Sequence, residues 1–124
     1  MGDIKVYPSR LNGEVKIPPS KSMAHRAVIC AALGDGLSKI SNIDYSDDII
    51  ATINGMRAIG AVIEEKDEYL EVRGINSKEL SANRDFERVV DCNESGSTLR
   101  FLVPISLAFE GVTRFVGRGN LGKR

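Results

Sequence analysis

The chain has 124 residues, 42% of them apolar, which is enough for the core of one small domain or of a piece of a larger one. Lys plus Arg and Asp plus Glu number 17 each, so the formal net charge is zero, which argues against broad electrostatic binding to nucleic acid or acidic membranes. With two cysteines, Cys30 and Cys92, and one histidine, no zinc cluster or other metal site is expected.

Met1-Gly2-Asp3-Ile4-Lys5 lacks the apolar stretch of a signal peptide, and no apolar run is long enough to span a bilayer. A cytoplasmic location is expected, with both thiols reduced and mostly buried. Ile4-Lys5-Val6-Tyr7 and Glu14-Val15-Lys16-Ile17 alternate apolar and polar residues. They read as two strands, a hairpin or edge neighbours, stopped by Pro8 and by Pro18-Pro19. Ser20 is the N-cap of a first helix over 21–33, with Met23, Ala27, Cys30 and Ala31 as its small-residue face and Gly34 and Gly36 at its stop. Residues 37–43 read as a strand. Ser46-Asp47-Asp48 opens a second helix, where the two acids complement the macrodipole. Its apolar stripe is Ile49, Ile50, Ile53, Met56 and Ile59, and Gly60 ends it. Residues 61–65 and 69–73 form a hairpin about the charged turn Lys66-Asp67-Glu68. A polar loop with helical character near 78–82 leads to a short strand over 88–92. Ser95-Gly96-Ser97-Thr98 then opens a third helix. Leu99, Phe101, Leu102, Val103, Ile105, Leu107 and Phe109 make it apolar on most sides, so it should be central and buried, with a kink at Pro104. A last strand over 112–116 runs into the basic, glycine-rich Gly117-Arg118-Gly119-Asn120-Leu121-Gly122-Lys123-Arg124. Such a stretch should lead into a further element, so the chain is expected to be truncated.

The order of elements gives one β-α-β-α-β-β unit followed by half of another, an α/β (α+β) fold. Two helix openings are alike: Ser20-x-Ser22-x-x-x-Arg26 and Ser95-x-Ser97-x-x-Arg100. A helix start leaves N–H groups unpaired and carries the positive end of the dipole, so it attracts anions, and Lys21 and Arg26 strengthen that attraction. The plainer reading, capped helices with surface basic residues and a frayed basic terminus, fits the spacing equally well. A Walker A loop is excluded, because its G-x-x-x-x-G-K-[ST] spacing is missing. Asp47 and Asp48 are most simply helix-start acids, and His25 is most simply an exposed or edge residue without a role.

Pro-Ser-Lys-Ser-x-x-x-Arg at Pro19 to Arg26, Ser-Asp-Asp at Ser46 to Asp48 and Ser-Gly-Ser-Thr-Leu-Arg at Ser95 to Arg100 occur in one order. In that order, with Lys123-Arg124 closing the chain, they resemble the N-terminal part of the 5-enolpyruvylshikimate-3-phosphate synthases (3-phosphoshikimate 1-carboxyvinyltransferases). The resemblance covers essentially the whole chain. The sister family, the UDP-N-acetylglucosamine carboxyvinyltransferases, typically has Lys-Asn in the first motif and a cysteine in the basic loop, and this chain has neither. The resemblance implies an enolpyruvyl transferase fold of two domains, each of three β-α-β-α-β-β units, with the active site where helix N-termini converge between them. Residues 1–19 would then belong to the hinge or the other domain, and 20–124 to an incomplete N-terminal domain. It implies shikimate 3-phosphate and phosphoenolpyruvate as substrates and no cofactor. Lys21 would touch both substrates. Ser22 and Arg26 would hold shikimate 3-phosphate, with Arg26 on its carboxylate. Gly96 and Arg124 would hold phosphoenolpyruvate. Glu94, Ser97, Arg100 and Asp47, within or beside the matching motifs, complete the candidate set. Glu94 departs from the family pattern, which often has Asn at that place. The residues that resemble the acid and base lie beyond residue 124, so the chain is expected to be inactive without its remainder and to self-associate through uncovered apolar faces. A stand-alone anion-binding or assembly module without catalysis is one alternative; a fragment of a UDP-N-acetylglucosamine 1-carboxyvinyltransferase is the other, disfavoured by Ser20-Lys21-Ser22.

Overall fold

The structure, a computed structural model, describes residues 2–75 and 87–123. The helical character expected near 78–82 lies outside them. Ser20 accepts a hydrogen bond from the Met23 N–H at 3.3 Å and starts α1, Lys21–Leu33. β1, Leu37–Ser41, leads to α2, Asp47–Ile59. β2, Val62–Glu65, and β3, Tyr69–Arg73, follow as an antiparallel hairpin. β4, Glu87–Asp91, leads through α3, Gly96–Ser106, to β5, Val112–Val116, and a single 3-10 turn closes at Leu121–Lys123.

β3 lies between β1 and β2 and is antiparallel to both, so β1-α2-β2 is a split β-α-β crossover. β4 and β5 pair in parallel around α3 as a second β-α-β unit. In the first sheet Ile40 stands opposite Leu70, and Ile63 opposite Val72, with Leu70 and Val72 fully buried. The strand alternation therefore sends one face into the core.

The core is built around α2. Ile49, Ile53, Met56 and Ile59 are fully buried or nearly so, against Val28 and Ala32 of α1, Val90 of β4 and Leu102 of α3. Each such aliphatic side chain contributes about 1.5–3 kcal/mol by leaving water. Gly55 lets α3 approach: a Cβ there would stand 2.4 Å from Leu102 Cδ1 and 3.3 Å from Val90 Cγ1. Ile50, read as part of the stripe, is exposed.

Several expectations are corrected. Residues 4–7 and 14–17 form no ladder, and Ile4, Val6, Tyr7, Val15 and Ile17 are all exposed. Their alternation fits a pleated strand, but a strand needs a partner, and none is present among the described residues. The buried face of α1 is Ala24, His25, Val28, Ile29 and Ala32, while Met23 and Cys30 point outward. Only Cys92 of the two thiols is buried. α3 is peripheral: Thr98 and Leu102 are buried, whereas Val103 is exposed. Pro104 sits in its last turn rather than at a central kink. Beyond it the chain tightens into i to i−3 bonds, Leu107 to Pro104, Ala108 to Ile105 and Phe109 to Ser106.

Candidate anion site at the helix openings

α1 and α3 begin in the same way. The cap hydroxyl takes the N–H three residues on, Met23 at 3.3 Å and Thr98 at 3.1 Å. The cap carbonyl takes the N–H four residues on, Ala24 at 2.9 Å and Leu99 at 3.2 Å. That leaves the N–H groups of Lys21 and Ser22, and of Gly96 and Ser97, without a protein acceptor among the described residues. They are the donors that a dipole-favoured anion would use.

α2 ties these openings together. The Lys21 ammonium pairs with the Asp48 carboxylate in the first turn of α2. The Thr98 hydroxyl on α3 lies 3.3 Å from the Asp48 carbonyl. Below that link His25 Nδ1 meets Thr52 Oγ1 at 2.7 Å, Thr52 Oγ1 meets Thr98 Oγ1 at 2.8 Å, and Thr98 Oγ1 meets Ser95 Oγ at 2.7 Å. All four side chains are buried. His25 is thus a buried core residue, contrary to the exposed position expected. His25, Val28, Ile29 and Ala32 carry the spacing of one helical stripe, which is the signal that could have placed it inside.

Arg26 bends back to donate to the Ser22 carbonyl at 2.9 Å, and its guanidinium lies 5.2 Å from the centre of the Phe101 ring. Ser22 and Arg26 therefore share one exposed side of α1. Gly96, Ser97, Leu99 and Arg100 line one cavity of about 150 Å³ with Leu121. Asp47 is elsewhere: with Asn54, Asp91, Asn93 and Arg118 it lines a separate cavity of about 190 Å³, where Arg118 bonds Asp91 at 3.1 Å. The Glu94 carboxylate accepts from the Asn120 N–H at 3.4 Å and so braces the stretch after β5. Arg124 lies outside the described residues. Among the described residues no three His, Cys, Asp or Glu side chains are grouped to hold a metal, and no helix is long and apolar enough to cross a membrane.

Burial pushes the His25 imidazole below its ordinary value of 6.5; Asp48 draws it back up, while Lys21 and Arg26 push it further down. The unfolded chain then binds a proton before the folded one does. This site's contribution to stability is full above about pH 6.5 and is lost as pH falls from there through the folded value. Denaturant midpoints followed from about pH 8 to about pH 5 should fall, and His25→Asn should flatten part of that fall. An identical slope in the variant would refute the assignment.

The family model for EPSP synthase (3-phosphoshikimate 1-carboxyvinyltransferase) matches residues 6–124. Proteins named 3-phosphoshikimate 1-carboxyvinyltransferase are similar over the whole chain. Those of Clostridium botulinum (strain Eklund 17B / Type B) and Clostridium beijerinckii are 70% and 72% identical, and that of Clostridioides difficile is 67% identical. The chain spans 29%, 29% and 30% of their lengths. A solved EPSP synthase from Acinetobacter baumannii superimposes with a TM-score of 0.75 at 25% identity, over 90% of this chain and 25% of that one. The mixed helix and strand order, the doubled helix opening and the match over nearly every residue agree, and the chain belongs to the EPSP synthase family.

Proposed function

We propose that the chain is part of an enzyme that moves the carboxyvinyl group of phosphoenolpyruvate to the 5-hydroxyl of shikimate 3-phosphate. The observation that carries this reading is the pair of matching helix openings, each with two N–H groups lacking protein acceptors among the described residues, tied through Asp48 and Thr52 of α2. Both substrates are anions, so bringing them together costs Coulomb energy. Preorganised N–H groups and fixed cations offset that repulsion and orient the reactants. In the reaction the 5-hydroxyl gives up its proton as its oxygen bonds to C2 of the enol, while C3 takes a proton and the C2–C3 double bond becomes single. The resulting intermediate expels phosphate from C2 and loses a proton from C3, which restores the C2–C3 double bond in the product.

Lys21 serves both substrates in this reading. Ser22 and Arg26 hold shikimate 3-phosphate, Gly96 offers its N–H to phosphoenolpyruvate, and Arg124 closes on the same ligand. Ser97 and Arg100 border that second half, whereas Asp47 and Glu94 serve structure. Residues 1–19 belong to the hinge or to the other domain, which their exposed, alternating apolar side chains support. The groups that move protons belong to the remainder of the enzyme, and the whole works in the cytoplasm. Without that remainder the chain is inactive and its uncovered apolar faces pair with a second copy.

The test is a graft in which this chain replaces the matching residues of the Clostridium botulinum relative. The grafted enzyme should form the carboxyvinyl product from the two substrates, and the chain alone should not. A folded graft without that activity would overturn the reading.

A further inference from the structure

We propose that His25 is a positioning residue: through Thr52 and Thr98 to Ser95 it holds the openings of α1 and α3 in one fixed relation and so sets the distance between the two anion-binding ends. The proposal rests on the function proposed above.

The chain of bonds crosses three helices in three steps of 2.7, 2.8 and 2.7 Å. His25 is 2% exposed, Thr52 and Thr98 0% and Ser95 1%. Polar groups so placed are costly unless they find partners, and a run of mutual hydrogen bonds favours one arrangement of the elements that carry it. The run ends at the site on both sides. Ser95 is the cap of α3, and its hydroxyl oxygen accepts both the Thr98 N–H and the Thr98 side chain, which leaves the Gly96 and Ser97 N–H groups to a ligand. His25 stands beside Arg26 and one turn from Lys21 on α1. Phe101 of α3 covers both, with its ring centre 6.3 Å from the imidazole and 5.2 Å from the Arg26 guanidinium. The Thr98 hydroxyl also lies 3.3 Å from the Asp48 carbonyl, and the Asp48 carboxylate holds Lys21.

The bonds have a direction. His25 Nε2 is buried and has no partner among the described residues. A bare lone pair there costs less than an unpaired N–H, so the proton belongs on Nδ1. Nδ1–H then donates to Thr52, the Thr52 hydroxyl to Thr98, and the Thr98 hydroxyl to Ser95, its nearer acceptor at 2.7 Å against 3.3 Å for the Asp48 carbonyl.

Two measurements test this. His25 is the chain's one histidine, so nitrogen-15 NMR of the histidine-labelled full chain reads its tautomer without overlap. The unmodified chain should show the proton on Nδ1, and Thr52→Val should move it or expose it to exchange. In the grafted enzyme Thr52→Val, which keeps the shape and removes the hydroxyl, should lower kcat on the order of tenfold or more in the folded protein, with a lower melting temperature because the buried His25 Nδ1–H loses its acceptor. Thr52→Ser, which restores the hydroxyl, should return kcat to within about twofold. A proton on Nε2 in the unmodified chain, or a folded Thr52→Val graft with unchanged kcat, would overturn the proposal. The tautomer is read on the unmodified chain, so the test stands if the valine variant does not fold. An inactive unmodified graft counts against the proposed function instead, and the tautomer then decides the hydrogen-bond run alone.

Discussion

Gly74→Ala is expected to cost the chain about 4 kcal/mol of stability, a large part of the 5–15 kcal/mol or so that holds a domain folded. After β3 the backbone crosses the end of α1. There the Gly74 N–H donates to the Gly36 carbonyl at 2.9 Å, and the Ile75 N–H to the Ala32 carbonyl at 2.7 Å. A Cβ on residue 74 would lie 1.6 Å from the Gly34 carbonyl oxygen and 2.6 Å from its carbon. The obstacle is backbone, so no rotamer change relieves it. Either the crossing segment or the end of α1 must move by more than an ångström, and both hydrogen bonds go with it, at about 1 kcal/mol each beyond the strain. Ile75 and Ala32 are core residues, so the displacement also opens the packing beneath. Gly122→Ala is the control, since nothing among the described residues lies within 4 Å of its Cβ position. Denaturant unfolding of the two variants should differ by most of the expected loss. Equal midpoints would mean that the α1 to β3 crossing is looser than described.

Nothing near Gly74 in the sequence announces that crossing, and the contrast shows where sequence reading reaches its limit. Local chemistry was legible. Ser20 and Ser95 cap helices because a hydroxyl at that place satisfies an N–H three residues on, a relation contained in four consecutive residues. The 62–73 hairpin is equally local. Reading failed where the outcome depended on a distant partner. Ala24, Ala27, Ala31 and Ala32 scatter small residues around α1, so the stripe could be drawn one notch away from Val28 and Ile29. His25 looked like a surface residue because its partner, Thr52, is 27 positions away on another helix. The alternation at 4–7 and 14–17 states which side chains suit a sheet but cannot supply one. α3 was overrated for the same reason: its apolar residues ask for burial on several sides, and α2 covers only the side of Thr98 and Leu102. Glu94, the odd residue in its motif, drew attention in the sequence, yet only the structure shows it turned to Asn120.

Lys21→Ala should separate function from folding more sharply than any other change in the chain. Its ammonium pairs with Asp48, but the two side chains are 53% and 32% exposed. A pair so open to water contributes between 0 and about 1 kcal/mol, so the melting temperature should barely move. Lys21 is also the first residue of α1, at the positive end of the dipole, where the N–H groups of Lys21 and Ser22 lack acceptors among the described residues. A bound anion would replace water around it, and a charge-assisted bond to that anion is worth about 1.5–3 kcal/mol. Loss of one such bond lowers kcat/KM roughly 10- to 150-fold; if Lys21 touches both substrates, the loss in the grafted enzyme should reach on the order of 1,000-fold. Lys21→Arg restores the charge but not the compact ammonium, so it should recover only part of the loss. The split between parameters is informative. A group that merely collects anions raises KM alone, whereas one that also stabilises charge in the transition state lowers kcat as well. The expected pattern is a fall in kcat together with a rise in KM for both substrates. A kcat/KM within about threefold of the unmodified graft would leave the N–H groups of the helix openings as the anion grip and remove Lys21 from it.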